Sequence, residues 1–187
     1  MKNLLLLIIL PLMISCQNSD KPNYKYSEKE TEQFLNEITK NAKASITDIT
    51  EIKKQPTHEF GIITRYSLSP KQLEEYNKNN GTIVNKEDDI SNFATYTFKN
   101  YELINEKNEK LQFVDNGRDV YLQELPLWEY DNILCQNLGI GIQLNKKFEK
   151  LKGYIIIEFE MPGNLFGKIN HEVKIPVNIS IYDKVAQ

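Results

Sequence analysis

The sequence predicts an α+β, mostly β fold: an antiparallel two-layer, immunoglobulin-like β-sandwich over residues 92–187, preceded by a small helix–hairpin–helix portion over 27–85. Three observations carry this. Leu138, Ile140, Ile142 and Leu144 alternate with small or polar residues, as do Ile155, Ile157, Phe159 and Met161. Val173, Ile175, Val177, Ile179 and Ile181 repeat the pattern, so each run makes a strand with one apolar face. No helical period separates these runs, which argues for antiparallel layers rather than parallel strands with crossover helices. The Cys…Trp…Cys spacing of true antibody domains is absent.

Taken in order, the elements begin with a helix. Ser27 is placed to cap it and Glu30 stands three residues on, the spacing of a capping box. Phe34, Leu35, Ile38 and Ala42 fall on one helical stripe, and the helix is expected to end near Lys43. From Ser45 to Lys54 the β-branched Ile46, Thr47, Ile49, Thr50 and Ile52 favour a strand. Phe60–Leu68 is the second strand of the hairpin, beyond Gln55-Pro56. Ser69-Pro70 opens a short helix that ends before Asn80-Gly81, since proline suits the first helical position. Asn85–Ser91, with Glu87-Asp88-Asp89, reads as a charged loop.

The β-rich part follows. Tyr96 and Phe98 hold one phase while Tyr101 and Leu103 hold the other, so a bulge is expected near Lys99-Asn100. Asn105–Lys110 is a turn. Asp115-Asn116-Gly117 marks a hairpin after Leu111 and Phe113, because Asn-Gly accepts the positive φ of a type I′ turn. Val120–Leu125 returns, and Pro126 is expected to end it. Pro176 lacks a ladder donor, which assigns the last strand to an edge. Gly139 and Gly141 alternate inside a strand and are expected to permit close approach of a neighbouring chain or a bulky side chain.

The N-terminus carries a different signal. Met1-Lys2-Asn3 precedes an apolar run from Leu4 to Ile14, then Ser15-Cys16. At ~1.5 Å per residue this run is too short for a ~30 Å hydrocarbon core, so it reads as a processed segment. It resembles a bacterial lipoprotein signal peptide, with Leu12-Met13-Ile14-Ser15-Cys16 standing where the lipobox would be. The resemblance implies that residues 1–15 are removed and that Cys16 carries a diacylglyceryl group with palmitate-type chains. Residues 16–26 then form the lipidated cysteine and a tether. Gln17 rather than Asp after the cysteine implies the outer membrane of the cell envelope over the inner one.

Candidate chemistry is sparse. With Cys16 lipidated, Cys135 has no cysteine to pair with, and its Ile133-Leu134 context favours a buried thiol. A catalytic Cys135 would need His58 or His171, neither in a recognisable motif. Glu158 and Glu160 share one side of a strand, opposite Ile157 and Phe159, as on a solvated face. Glu87-Asp88-Asp89 lacks the spacing of a calcium loop, and the His-Glu pairs at 58 and 171 lack zinc spacing, so neither metal nor cofactor is expected. Two segments favour binding. Leu165 and Phe166 sit in a turn-rich loop, where they either anchor a partner or cap the core. Trp128, the only tryptophan, and Tyr130 are residue types of binding surfaces, though Trp128 could equally fill the core.

The expected function is therefore a non-enzymatic, lipid-anchored envelope module that binds another envelope protein. The alternative is an inhibitor or immunity-type lipoprotein that blocks a toxin or hydrolase; an envelope enzyme comes third. Twenty-three Lys and Arg against 26 Asp and Glu, interspersed, give a net charge of −3, which does not suit nucleic acid.

Overall fold

A computed structural model describes residues 24–46, 55–83, 86, 89–114, 121–163 and 167–182. Helix α1 spans Glu28–Asn41, strand β1 Lys43–Ser45, β2 Thr57–Ser67 and helix α2 Pro70–Lys78. A 3-10 turn at Ile90–Phe93 leads to β3, Thr95–Asn105, and β4, Lys110–Leu111. Four more strands follow among the described residues: β5 at Gln123–Tyr130, β6 at Ile133–Phe148, β7 at Lys150–Pro162 and β8 at Lys168–Ser180. They form two antiparallel sheets, ordered β1-β2-β6-β5 and β4-β3-β7-β8. The described residues are thus mostly β, with two α-helices.

The alternating apolar residues dictate how the sheets meet. Leu138, Ile140, Ile142 and Leu144 of the first sheet and Ile155, Ile157, Phe159 and Met161 of the second are all buried in one core cluster. Each such side chain contributes roughly 1.5–3 kcal/mol by leaving water. Helix α1 joins the same core through Phe34, Leu35 and Ile38. Its capping box forms as the Ser27 and Glu30 spacing requires. Polar ties then fix it to β2. Asn41 Nδ2 donates to the Arg65 carbonyl at 3.2 Å, and Glu37 Oε2 accepts from the Ser67 amide at 2.7 Å. His171 of β8 meets Glu32 at 2.8 Å on the other side.

Several expectations hold. Ser69 caps α2 with Pro70 at its start. The β3–β7 register slips between Phe98 and Asn100, at the predicted bulge. Among the described strands β8, with Pro176, lies at an edge of its sheet. Gly153 adopts φ +139°, where a Cβ would stand 1.8 Å from the Glu102 carbonyl oxygen, so only glycine fits.

Helix α1 ends at Asn41, near Lys43 as expected. Other expectations are corrected. Strand β2 begins at Thr57 rather than Phe60, and its partner within 27–85 is the short β1; residues 47–54 lie outside the described residues. Strand β2, assigned to a helix–hairpin–helix portion, and the short β1 are instead members of the first sheet, because β2 pairs with β6 from Thr57 to Ser67. Leu111 and the 123–125 segment do not pair: β4 joins β3 in the second sheet, while β5 joins β6 in the first. The Asn116-Gly117 turn itself lies outside the described residues. Pro126 does not end its strand, which runs on to Tyr130. As the outer strand of its sheet, β5 needs no inward N–H there, and the ladder absorbs the proline in a register shift between Glu124 and Leu127.

Candidate functional site

The site is built by the β5–β6 hairpin. Its two-residue turn is Asp131-Asn132, at φ +51° and +63°. Asp and Asn tolerate this left-handed region, which matches the strand twist in a two-residue loop. The turn pins Tyr130 opposite Ile133 and Trp128 opposite Cys135.

Pro126 decides which way these side chains point. Glu124 pairs with Leu138, on the core side of β6. A regular ladder from there would set Trp128 opposite Leu134, on that same side. The extra residue in the bulge sets it opposite Cys135 instead, and a slip of one residue turns a side chain to the other face. Trp128 is consequently 58% exposed on the outer face. The bulge strands two carbonyls, and β6 answers both. Gln136 Nε2 donates to the Leu125 oxygen at 2.5 Å, and Asn137 Nδ2 to the Pro126 oxygen at 3.0 Å. Leu125 itself lies over Gly139, where a Cβ would approach its Cδ1 to 3.1 Å.

The outer face then assembles four residues from three strands. Ile133, diagonal to Trp128, is 53% exposed. The guanidinium carbon of Arg65, on β2, sits 3.6 Å from the centroid of the Tyr130 ring. Tyr130 Oη donates to Asn137 Oδ1 at 3.4 Å. Arg65 is registered with Asn137, so its reach to Tyr130 passes across Cys135. This cover explains how Cys135 is buried on an outer face. Burial pushes its thiol up, with Arg65 pulling the other way, so it stays protonated and weakly nucleophilic.

Sequence reasoning selected Trp128 and Tyr130, and the fold brings them together on one face, with Trp128 in solvent rather than in the core. It missed Arg65 and Ile133. The Asp131-Asn132 turn signal was available and would have pointed to the hairpin. Leu165, Phe166 and Cys16 lie outside the described residues. Cys135 and His171 do not converge: Cys135 faces out of the first sheet, whereas His171 is opposite the buried Phe159 of the second and engages Glu32. Glu158 and Glu160 stay on an outer face, bonded to Lys99 at 2.8 Å and Lys168 at 2.5 Å. Among the described residues, no three His, Cys, Asp or Glu side chains are placed to hold a metal ion.

Asp89 corrects the reading of 85–91 as a charged loop. It is buried, accepting from Tyr66 Oη at 2.5 Å, Ser91 N at 2.9 Å, Ser91 Oγ at 2.8 Å and Gln72 Nε2. Burial first, then the adjacent carboxylate, pushes the Tyr66 hydroxyl well above its usual range, keeping it a donor. This latch joins α2 and the 3-10 turn to the end of β2.

The chain matches no protein-family model, no curated protein and no solved structure. No helix among the described residues is long and apolar enough to cross a membrane.

Proposed function

We propose that this chain is a lipid-anchored envelope protein, acylated at Cys16, whose two-layer, immunoglobulin-like β-sandwich is a non-enzymatic module that binds another envelope protein. The observation that carries the reading is the exposed Trp128 and Ile133 beside the Arg65–Tyr130 stack. Trp, Tyr and Arg are the residues most enriched among those that dominate binding energy. Two neighbouring large apolar side chains left in water, on a rigid hairpin, are the features of a surface kept for a partner. The sequence after the cysteine favours the outer membrane.

Affinity purification of the acylated full-length protein from the producing cell tests this. One stoichiometric protein should be recovered, and Trp128→Ala should lose it while the protein stays folded. The partner's identity as a toxin or hydrolase would convert the reading to the inhibitor or immunity type. Retention of every bound protein by Trp128→Ala would sink the assignment of this face. Metabolic labelling with palmitate tests the anchor: Cys16→Ser should lose the label.

A further inference from the structure

We infer that the outer face of the first sheet takes a partner segment bearing a carboxylate beside a large apolar side chain, with the carboxylate on Arg65 and the apolar group against Trp128 and Ile133. The inference rests on the reading of this face as protein-binding and names the chemistry of its partner.

Arg65 is the reason. One side of its guanidinium is occupied by the Tyr130 ring at 3.6 Å. Stacking leaves the N–H edges available, and a guanidinium carries five donors in a fixed fork. Among the described residues the Arg65 guanidinium has no hydrogen-bond acceptor and no carboxylate within ion-pair distance. The nearby Glu37 is committed elsewhere, its Oε2 accepting the Ser67 amide at 2.7 Å. Lys43 is registered with Ile63, two residues from Arg65 along the same side of β2, and adds a second positive charge to this face. A chain with a net charge of −3 thus presents a local cationic site framed by apolar groups.

A carboxylate meets such a fork with two parallel hydrogen bonds. The bond strengthens when neighbouring apolar groups exclude water. The site is also held ready. The stack on Tyr130 and the Tyr130–Asn137 hydrogen bond limit Arg65 before any partner arrives, which lowers the ordering cost of association. An uncharged apolar partner would leave the Arg65 fork desolvated and unpaired, so the face discriminates against it.

The test places a photo-crosslinking amino acid at Ile133 of the full-length acylated protein in the producing cell. Captured peptides are mapped in strains carrying Arg65, Arg65→Lys or Arg65→Gln. The expected result is one partner segment with Asp or Glu close to the crosslinked residue. Capture should fall more than about tenfold in Arg65→Gln and less in Arg65→Lys, which keeps the charge but not the fork. Arg65→Glu should regain capture when the mapped partner carboxylate is replaced by Arg, a rescue that a misfolded variant would not give. A segment without a carboxylate, or capture unchanged by Arg65→Gln, overturns the inference and leaves the protein-binding reading standing. Capture of lipid alone, or of nothing, overturns both.

Discussion

The two sheets turn outer faces of opposite character to solvent. On the second sheet the chain answers its own charges: Glu158 is bonded to Lys99 and to Asn170, Glu160 to Lys168, and Lys174 lies 4.0 Å over the Tyr154 ring. On the hairpin end of the first sheet it does not, since Trp128 and Ile133 stand in water and Arg65 has an aromatic neighbour but, among the described residues, no acceptor. Both faces lie over the same core. The difference teaches that recognition is to be sought where a surface is left unsatisfied by its own chain, rather than where charges are most numerous.

The largest effect should come from breaking the scaffold under both faces. Gly153→Ala drives a Cβ into the Glu102 carbonyl between β3 and β7, and should cost at least about 3 kcal/mol in urea unfolding. Partner capture should be lost with the fold. Next, Trp128→Ala should cost about 2 kcal/mol of partner affinity, roughly thirtyfold, read by titration against the purified partner. Its unfolding midpoint should stay within about 0.5 kcal/mol of the parent, as for other exposed positions.

Asn132→Val separates the hairpin from its side chains. A β-branched residue at φ +63° should destabilise by about 1–2 kcal/mol and weaken capture through a loosened turn, whereas Asn132→Gly should leave both intact. Smaller still is Lys99→Ala on the other face, expected to move the unfolding midpoint slightly and capture not at all. Acid gives the finest contrast. The Lys99 hydrogen bond holds the Glu158 carboxyl below the ordinary carboxylate range. Its small contribution is therefore present above about pH 4.3 and is lost as pH falls through the lowered folded value. Glu158→Gln should flatten that part of the stability profile; an unchanged acid limb would show that the pair contributes nothing.

What was legible in the sequence was local. The α1 capping box, the Ser69-Pro70 start, the phase slip at Lys99-Asn100 and the edge position marked by Pro176 each depend on neighbours within a few residues. What was illegible depended on register. Pro126 signals a stop, yet on an outer strand it makes a bulge, and the bulge sends Trp128 outward. Arg65 reaches Tyr130 only because β2 and β5 flank β6 in space. Asp89 stands in an acidic run, and is buried because Tyr66 and Gln72 reach it from earlier elements and join the nearby Ser91.

The edges of the two sheets carry a consequence for a protein crowded in two dimensions, as the proposed anchor would have it. Confinement raises local concentration, and exposed strand edges then become the sites where neighbours fuse into polymers. Here the two long edge strands, β5 and β8, each contain a proline, while the described parts of β1 and β4 extend for only three and two residues. In each of the two long edges a proline interrupts the row of amides that a neighbour's strand could pair with, which counters strand-to-strand polymerisation as density at the surface rises.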